Sequence, residues 1–539
     1  MATKFQFAGR TIRLPGIYSR IVSGRNNPPL DLDYGRLLII AQPEQIRGGS
    51  GINGENASGK DSIYEIRDLN EMREFVGQGV WFKAAEALFQ PNRFDPGVSR
   101  VFIVKASQTT QSTLTLGLED GTNGGTLTLK TLDEGILANG VIEEIDSVDY
   151  LKAGYAFTVE PGVRDSSKWV IKFWLSTYTG EASDGHAFDE NSVKSARPRL
   201  LAQSIEFNNM ADLIDWADSN KDLAKFFIIS STNVKGSGEV DPLEIGALDG
   251  FVLSSGATET SADADFDAVL SAIRDLDYNL VMYKSGEDLE SDPNSIKLIS
   301  HLELEAKHDK FLIAGGSDDD LSETISTSRA INSDKVILSH GAVKKVSKVS
   351  ASGFRVWNSL VHASYIAGRL AGLPPQVPIT FKAIQIDGLV DNLTQIERED
   401  ALDAGVLVTN YDGDRGLFVV DQGINTLQDN DFTLNPNSTS HVIQIKRIAA
   451  QLNKELIVNG KRDLLSNPSG VNRNTLSERD IIDWTKGYLL RKIATDDVDN
   501  LILSFQNVTV TRQEDAYFVT YEFDPNSEIR IVFFTGFML

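Results

Sequence analysis

The sequence contains no cysteine, which excludes disulfides, thiolate nucleophiles and cysteine-ligated metals together. No apolar run approaches the ~20 residues of a membrane-spanning helix, so membrane insertion is not expected. The opening residues, Met1-Ala-Thr-Lys-Phe-Gln-Phe-Ala8, lack the apolar stretch of a secretory signal, and the expected site of synthesis is the cytoplasm. Positive charge is in deficit. Against 76 Asp and Glu stand 52 Lys and Arg, a net charge of -24. Phosphate backbones would be repelled by the chain as a whole, so nucleic acid is not an expected partner. There is no fixed-period repeat and no low-complexity tract.

What is present is ordinary globular composition, 41% hydrophobic and 24% charged over 539 residues, enough for about three to four domains. Thr11–Ile21 is strand-like, but Pro15 cannot donate to a ladder, so it suits an outer strand. Arg36–Ala41 is a buried-strand run. Helical patterns follow at Asp68–Val76 and Val80–Phe89, then a strand at Arg100–Lys105. That order predicts a parallel crossover. Thr113–Leu116, Thr126–Lys130, Tyr155–Val159 and Trp169–Trp174 are β-type, with turns such as Asp120–Gly125 between them. Further on, a helix over Asn209–Lys225 is expected to lead into a strand at Phe226–Ile229. Asp265–Leu276, Asn279–Met282, Phe311–Ala314, Lys335–Leu338 and Leu360–Leu370 continue an α/β alternation, which predicts a mostly parallel sheet covered by helices. Two helices, His441–Val458 and Leu476–Ile493, precede the last strands, and Thr475 and Glu478 have capping-box spacing. The expected divisions are an arm at 1–25, the first part of an α/β core at 26–105, a β-rich insertion at 106–200, a second α/β stretch at 201–425, an α+β unit at 426–527 and a final strand at 528–539.

Candidate chemistry is sparse. Gly54–Lys60 has the G-x4-G-K core of a phosphate loop, but Asp61 stands where Ser or Thr should reach magnesium, and Pro43 and a long loop part it from the preceding strand. It reads better as a surface loop. His301, Glu305 and His308 would share one helical face, more simply read as a solvated charged face. Asp318-Asp-Asp320 lacks the spacing of a calcium loop and reads as a polar loop. No serine nucleophile context accompanies any histidine. No cofactor, metal or catalytic set is expected. Charge is more informative: 441–492 holds ten Lys or Arg and five Asp or Glu, a net +5 against -29 elsewhere. Arg447 and Lys454 are seven apart, as are Arg479 and Lys486, so each pair shares a helical face. These are either solvating charges or a patch for an acidic partner.

The last stretch alternates as strands through Tyr517, Val519, Tyr521 and Phe523. It then turns at Pro525-Asn526 and ends in Glu528–Phe537, apolar on both faces. Such a strand is either buried at home or lent to a neighbour.

Leu14-Pro-Gly-Ile-Tyr-Ser19, Leu37–Pro43 with Ile66–Gly77 and Val101–Lys105, Thr126–Lys130 with Gly154–Gly162, Ala363–Gly372 and Val419–Asn425 occur in an order that resembles the tail sheath proteins of contractile-tailed bacteriophages. The resemblance covers most of the chain. It implies a subtilisin-like α/β core without protease activity, an outer β insertion, and a C-terminal domain facing a tail tube. It implies hexameric rings stacked around tail tube protein, with baseplate and tail terminator partners, in a virion. Neighbours would be linked by exchanged strands. The donors would lie at Thr11–Ile21 (Ile12, Leu14, Ile17, Tyr18, Ile21) and Glu528–Phe537 (Ile529, Ile531, Phe533, Phe537). The acceptor hairpin would lie at Asn507–Arg512 and Tyr517–Phe523 (Val508, Val510, Tyr517, Val519, Tyr521). Gly24–Pro29 and Asp524–Ser527 would be the hinges, and Arg447, Lys454, Arg479 and Lys486 would face the tube. A sheath of a phage-derived injection system fits equally; an α/β hydrolase or nucleotide-using enzyme is the remote alternative.

Overall fold

The computed structural model describes residues 5–7, 10–12, 35–41, 46–47, 63–76, 80–93, 97–105, 107–109, 111–118, 125–134, 139, 141–145, 148–166, 168–176, 199–207, 210–220, 223, 226–232, 258–260, 263–284, 289–304, 310–346, 353–428, 441–465, 477–493, 501–513 and 516–526. The chain is built around a seven-stranded sheet. Its spatial order is Val406–Leu407, Val336–Ser339, Phe311–Gly315, Leu280–Met282, Arg36–Ala41, Arg100–Lys105 and Ile63–Ile66. Neighbours are parallel except at one edge, where Ile63–Ile66 runs antiparallel to Arg100–Lys105. The predicted parallel crossover is present, with Leu37 opposite Val101.

The unbroken apolar run of Arg36–Ala41 follows from burial on both faces. Leu37 and Ile39 point into a cluster with the helices Val80–Phe89 and Ser359–Gly372. Leu38 and Ile40 point the other way, towards the helices Asp263–Ile273 and Pro293–Leu304. The first two helices approach closely through small residues. A Cβ on Gly368 would lie 2.5 Å from the carbonyl oxygen of Leu88, so only glycine fits there.

The insertion has its own core around Tyr155, Phe157, Phe173, Leu213 and Phe227. Val141–Ile145, Val148–Pro161, Trp169–Ser176 and Arg199–Gln203 form one sheet. Gln111–Leu118 and Gly125–Glu134 belong to another. Here an expectation fails. Phe227–Thr232 is a strand, but it does not join the central sheet; it pairs antiparallel with Gly125–Glu134. Thr258–Thr260 likewise pairs with Ser107–Thr109. The insertion therefore draws on residues well past 200. An apolar strand after a helix has the same local pattern whichever sheet receives it.

The last unit contains the helices Ile443–Gly460 and Glu478–Leu490 and the strands Ile502–Gln513 and Ala516–Pro525. The second helix is capped two residues later than its sequence suggested. Ser477 accepts from the Asp480 amide, and the Asp480 carboxylate accepts from the Ser477 amide. These bonds hold the Asp480 carboxyl below its ordinary range. Thr475 lies outside the described residues.

Candidate assembly interface

The terminal hairpin is a sheet of two strands. Apart from a one-residue bridge between Ile493 and Ile502, no further strand pairs with it among the described residues. Isolated two-stranded hairpins are marginal in water, so this one leans on helices. Ile448, Leu452, Tyr488, Leu489, Leu501 and Ile502 form its buried base, with Phe505, Val508, Tyr521 and Phe523 packed against them. Tyr521 Oη also donates to Asn453 Oδ1 at 3.0 Å.

A bulge sets which side chains face inward. The register shifts between Gln506 and Thr509, and Asn507 adopts a positive φ of 52°. Asparagine tolerates this conformation better than most residues. Its side chain is held by Glu522, 2.8 Å away. The extra residue reverses the alternation, so Val508 joins Phe505 on the helix side while Thr509 opposes Thr520. Beyond the bulge the helices give less cover. Phe518 is 52% exposed and Val519 37%. An extended pair with apolar side chains and unpaired edges is the geometry that accepts an added strand.

Of the residues assigned to this exchange, Val508, Val510, Tyr517, Val519 and Tyr521 fall together on the hairpin. Ile12 lies in Arg10–Ile12, which pairs with Phe5–Phe7 of its own chain, Ile12 opposite Phe5. Leu14, Ile17, Tyr18, Ile21, Ile529, Ile531, Phe533 and Phe537 lie outside the described residues, as does Gly24–Pro29.

The basic residues divide, and half of that expectation is corrected. Arg479 and Lys486 are exposed on the Glu478–Leu490 helix. Arg447 and Lys454 are buried, 6% and 2% exposed. Arg447 Nη2 donates to the carbonyls of Leu370 and Leu373 at 2.8 and 2.7 Å. Lys454 Nζ is 2.5 Å from Asp277, whose other oxygen meets Arg36 Nη1, also at 2.5 Å. The reason is that the Ile443–Gly460 helix is covered on two sides. Ile448 and Leu452 face the hairpin; Arg447 and Lys454 face the central domain, where their stems cross apolar ground to reach polar groups. Glu455, also buried, receives Lys492 at 2.8 Å and the Tyr488 hydroxyl. The pairs thus fasten the last unit together and to the central domain, a role that only the tertiary contact reveals.

Open α/β sheets usually take ligands beyond the carboxyl ends of their parallel strands. Beyond Phe311–Gly315 and Val336–Ser339 the polar groups are engaged by the chain's own side chains and helix ends. Asp318 accepts from the Ser359 amide at 2.6 Å, at the start of the Ser359–Gly372 helix. Asp320 caps Leu321–Ile331 through the Glu323 amide. The polar Asp318–Asp320 loop therefore serves two helix ends. His340 lies between Thr324 (3.0 Å) and Asp391 (3.2 Å). His362 Nδ1 donates to the His340 carbonyl at 2.9 Å, and its Nε2 accepts from Thr409 at 2.9 Å. Full burial pushes the His362 pKa down to about 4, which keeps it neutral.

Among the described residues no group of three or more His, Asp or Glu is placed to hold a metal. His301, read as part of a solvated face, is buried; His308 and the Gly54–Asp61 loop lie outside the described residues. No described helix is long and apolar enough to cross a membrane.

These features describe a multidomain α/β protein with an open hairpin, and the chain resembles tail sheath proteins along nearly its whole length. In sequence it is 20% identical to the tail sheath protein of Bacillus phage SP01, over 96% of this chain and 94% of the relative. In fold it is similar to the sheath tail protein of Desulfitobacterium hafniense, with a TM-score of 0.53 at 13% identity, covering 95% of this chain and 100% of that one. The sheath tail protein of Listeria innocua gives a TM-score of 0.47 at 14% identity, covering 92% and 96%. No family model matches the chain.

Proposed function

We propose that this protein is the structural subunit of a contractile tail sheath. It polymerises as stacked hexameric rings around a tail tube, meets baseplate and tail terminator proteins at the ends, and contracts to drive the tube through a host envelope. It works without catalysis, on a core with a subtilisin-like α/β fold, is assembled in the host cytoplasm and resides in the virion. The full-length likeness to a phage tail sheath protein carries the reading, and the open terminal hairpin supplies a mechanism.

In that mechanism the hairpin is the acceptor. Thr11–Ile21 and Glu528–Phe537 of other copies add to its edges by β-augmentation, and Arg479 and Lys486 face the tube. Burying Ile529, Ile531, Val532, Phe533, Phe534 and Phe537 contributes on the order of 10 kcal/mol before ordering costs. Backbone pairing of this kind persists while subunits rotate, with Gly24–Pro29 as one hinge. Of the expected second hinge at Asp524–Ser527, Asp524 and Pro525 are paired with Ser504 and Ile502, and Asn526 donates to the Leu501 carbonyl, so that hinge begins at Ser527. The energy of contraction comes from new contacts between subunits. A sheath of a phage-derived injection system would use the same parts.

The test is removal of Glu528–Leu539. The shortened chain should stay folded and soluble yet form no tubes by electron microscopy. Normal tubes from that variant would sink the strand-exchange mechanism.

A further inference from the structure

We infer a second contact between copies of this chain, made by side chains rather than by strand pairing. The hairpin of Val343–Val346 and Phe354–Trp357 on one copy docks against the helix Gln395–Asp403 on another. The inference rests on the sheath reading and gives it an interface that strand exchange does not supply.

The hairpin combines two features that do little for the isolated fold. Val346 and Phe354 are direct cross-strand neighbours, 65% and 42% exposed. Lys345 and Arg355, the next pair inward, set like charges opposite one another, which is destabilising. Aromatic faces offset this repulsion. Arg355 lies 3.8 Å from the Trp357 ring centroid, and Lys345 lies 5.0 Å from that of Tyr365 while donating to the Gln385 carbonyl. Every charged residue from Val343 to Trp357 is basic: Lys344, Lys345, Lys348 and Arg355. Asp387, nearby, accepts from the Val346 amide at 2.8 Å. Neighbouring cross-strand pairs point to opposite faces, so Lys345 and Arg355 share the side of buried Val343 and Trp357. Lys344, two residues from Val346, shares the face of the apolar pair and sets a positive charge beside it, on a chain whose net charge is -24.

The helix is its complement. Ile396 is 71% exposed in the first turn. Asp400 and Asp403, four and seven residues on, share its face and are exposed. Arg398, the helix's one base, turns aside to Asp421 at 2.9 Å. Glu397 closes the capping box with Thr394, and Glu399 accepts from Gln395. So an apolar side chain again stands among charges of one sign, here negative.

Complementary signs favour hairpin on helix; hairpin on hairpin or helix on helix would oppose like charges. A contact between two different patches of the same chain is heterologous, and such contacts propagate into rings or helices. That is the geometry a sheath requires.

The absence of cysteine makes the test direct. Full-length Val346→Cys and Ile396→Cys chains are mixed under polymerising conditions, oxidised, and analysed by peptide mass spectrometry. The mixed 346–396 disulfide should exceed both the 346–346 and 396–396 products. Adding Lys344→Glu to the first chain should lower its yield roughly fivefold, and adding Asp400→Lys to the second should restore it. Absence of the mixed product, a predominance of like–like products, or failure of the restoring change would overturn the contact. Tubes without the mixed product would leave the sheath reading intact; the mixed product without tubes would leave the contact intact and count against the sheath reading.

Discussion

In the central sheet, seven strands lie edge to edge, and helices cover both faces. In the terminal hairpin, strands of 12 and 10 residues pair with each other and, among the described residues, with nothing further except the one-residue bridge of Ile502 to Ile493, while helices pack against one face. Both regions use apolar, β-prone residues. In the first, nearly every apolar side chain is spent within the chain: Leu37, Leu38, Ile39 and Ile40 are 0% exposed. In the second, Phe518 and Val519 remain accessible. The difference separates stability from assembly. Substitutions in the central sheet should be felt as unfolding, and substitutions on the outer hairpin as lost association.

The contrast is sharpest in the central sheet. Ile313→Ala removes a fully buried side chain and should cost about 2–5 kcal/mol, read as a lower urea midpoint. A change below 1 kcal/mol would show that the sheet is less tightly covered than described.

Next comes the buried imidazole of His362. Its folded pKa is depressed to about 4 from 6.5, so the unfolded chain binds more protons between those values. This stability is complete above pH 6.5 and is lost as pH falls towards 4, on the order of 3 kcal/mol in all. His340, pushed down mainly by burial, adds in the same direction. Urea midpoints between pH 4.5 and 7.5 should rise with pH, and His362→Asn should flatten the rise. An unchanged slope in that variant would rule out His362 as its source.

The fastening between the last unit and the central domain comes third. Lys454→Met leaves Asp277 with Arg36 and partial solvent, so the expected loss is about 1–3 kcal/mol, less than for a fully buried broken pair. Calorimetry should also show the last unit melting earlier. Arg479→Glu with Lys486→Glu should leave stability within about 0.5 kcal/mol and weaken attachment to isolated tail tubes. Equal losses of stability from the two sets would erase the distinction between buried and exposed basic residues.

The smallest stability effect belongs to the hairpin's outer end. Val519→Ala should shift Tm by an amount equivalent to about 0.5 kcal/mol or less, while reducing tube formation measured by light scattering. A large Tm change with normal tubes would invert the comparison.

Much of the architecture was legible in residue order. The Val80–Phe89 helix, the Arg100–Lys105 strand and the terminal hairpin lie where periodicity and turns put them. Two features depart from that local pattern, for one physical reason. The strand expected at Phe226–Ile229 joins a different sheet, as Phe227–Thr232, because local pattern records burial and not the identity of the neighbour. Arg447 and Lys454 are buried although their spacing fits an exposed face, because a helical wheel separates faces without saying what covers each one. The exposed Ile396 and the Val346–Phe354 pair drew no notice in sequence. Single apolar residues are common on surfaces, and only their exposure beside charges of one sign distinguishes them.

By itself the sequence determined composition, charge, the alternation of elements, the freedom from thiol chemistry and the resemblance to tail sheath proteins. These depend on residue type and short spacing, which the chain carries locally. Tertiary structure alone decided which sheet each strand joined, which face of the Ile443–Gly460 helix met the central domain, and which face of the terminal hairpin the helices covered. Those outcomes depend on contacts between residues hundreds of positions apart, as between Arg36, Asp277 and Lys454. No local pattern encodes such a meeting, because the energy that selects it arises only when the whole chain has folded.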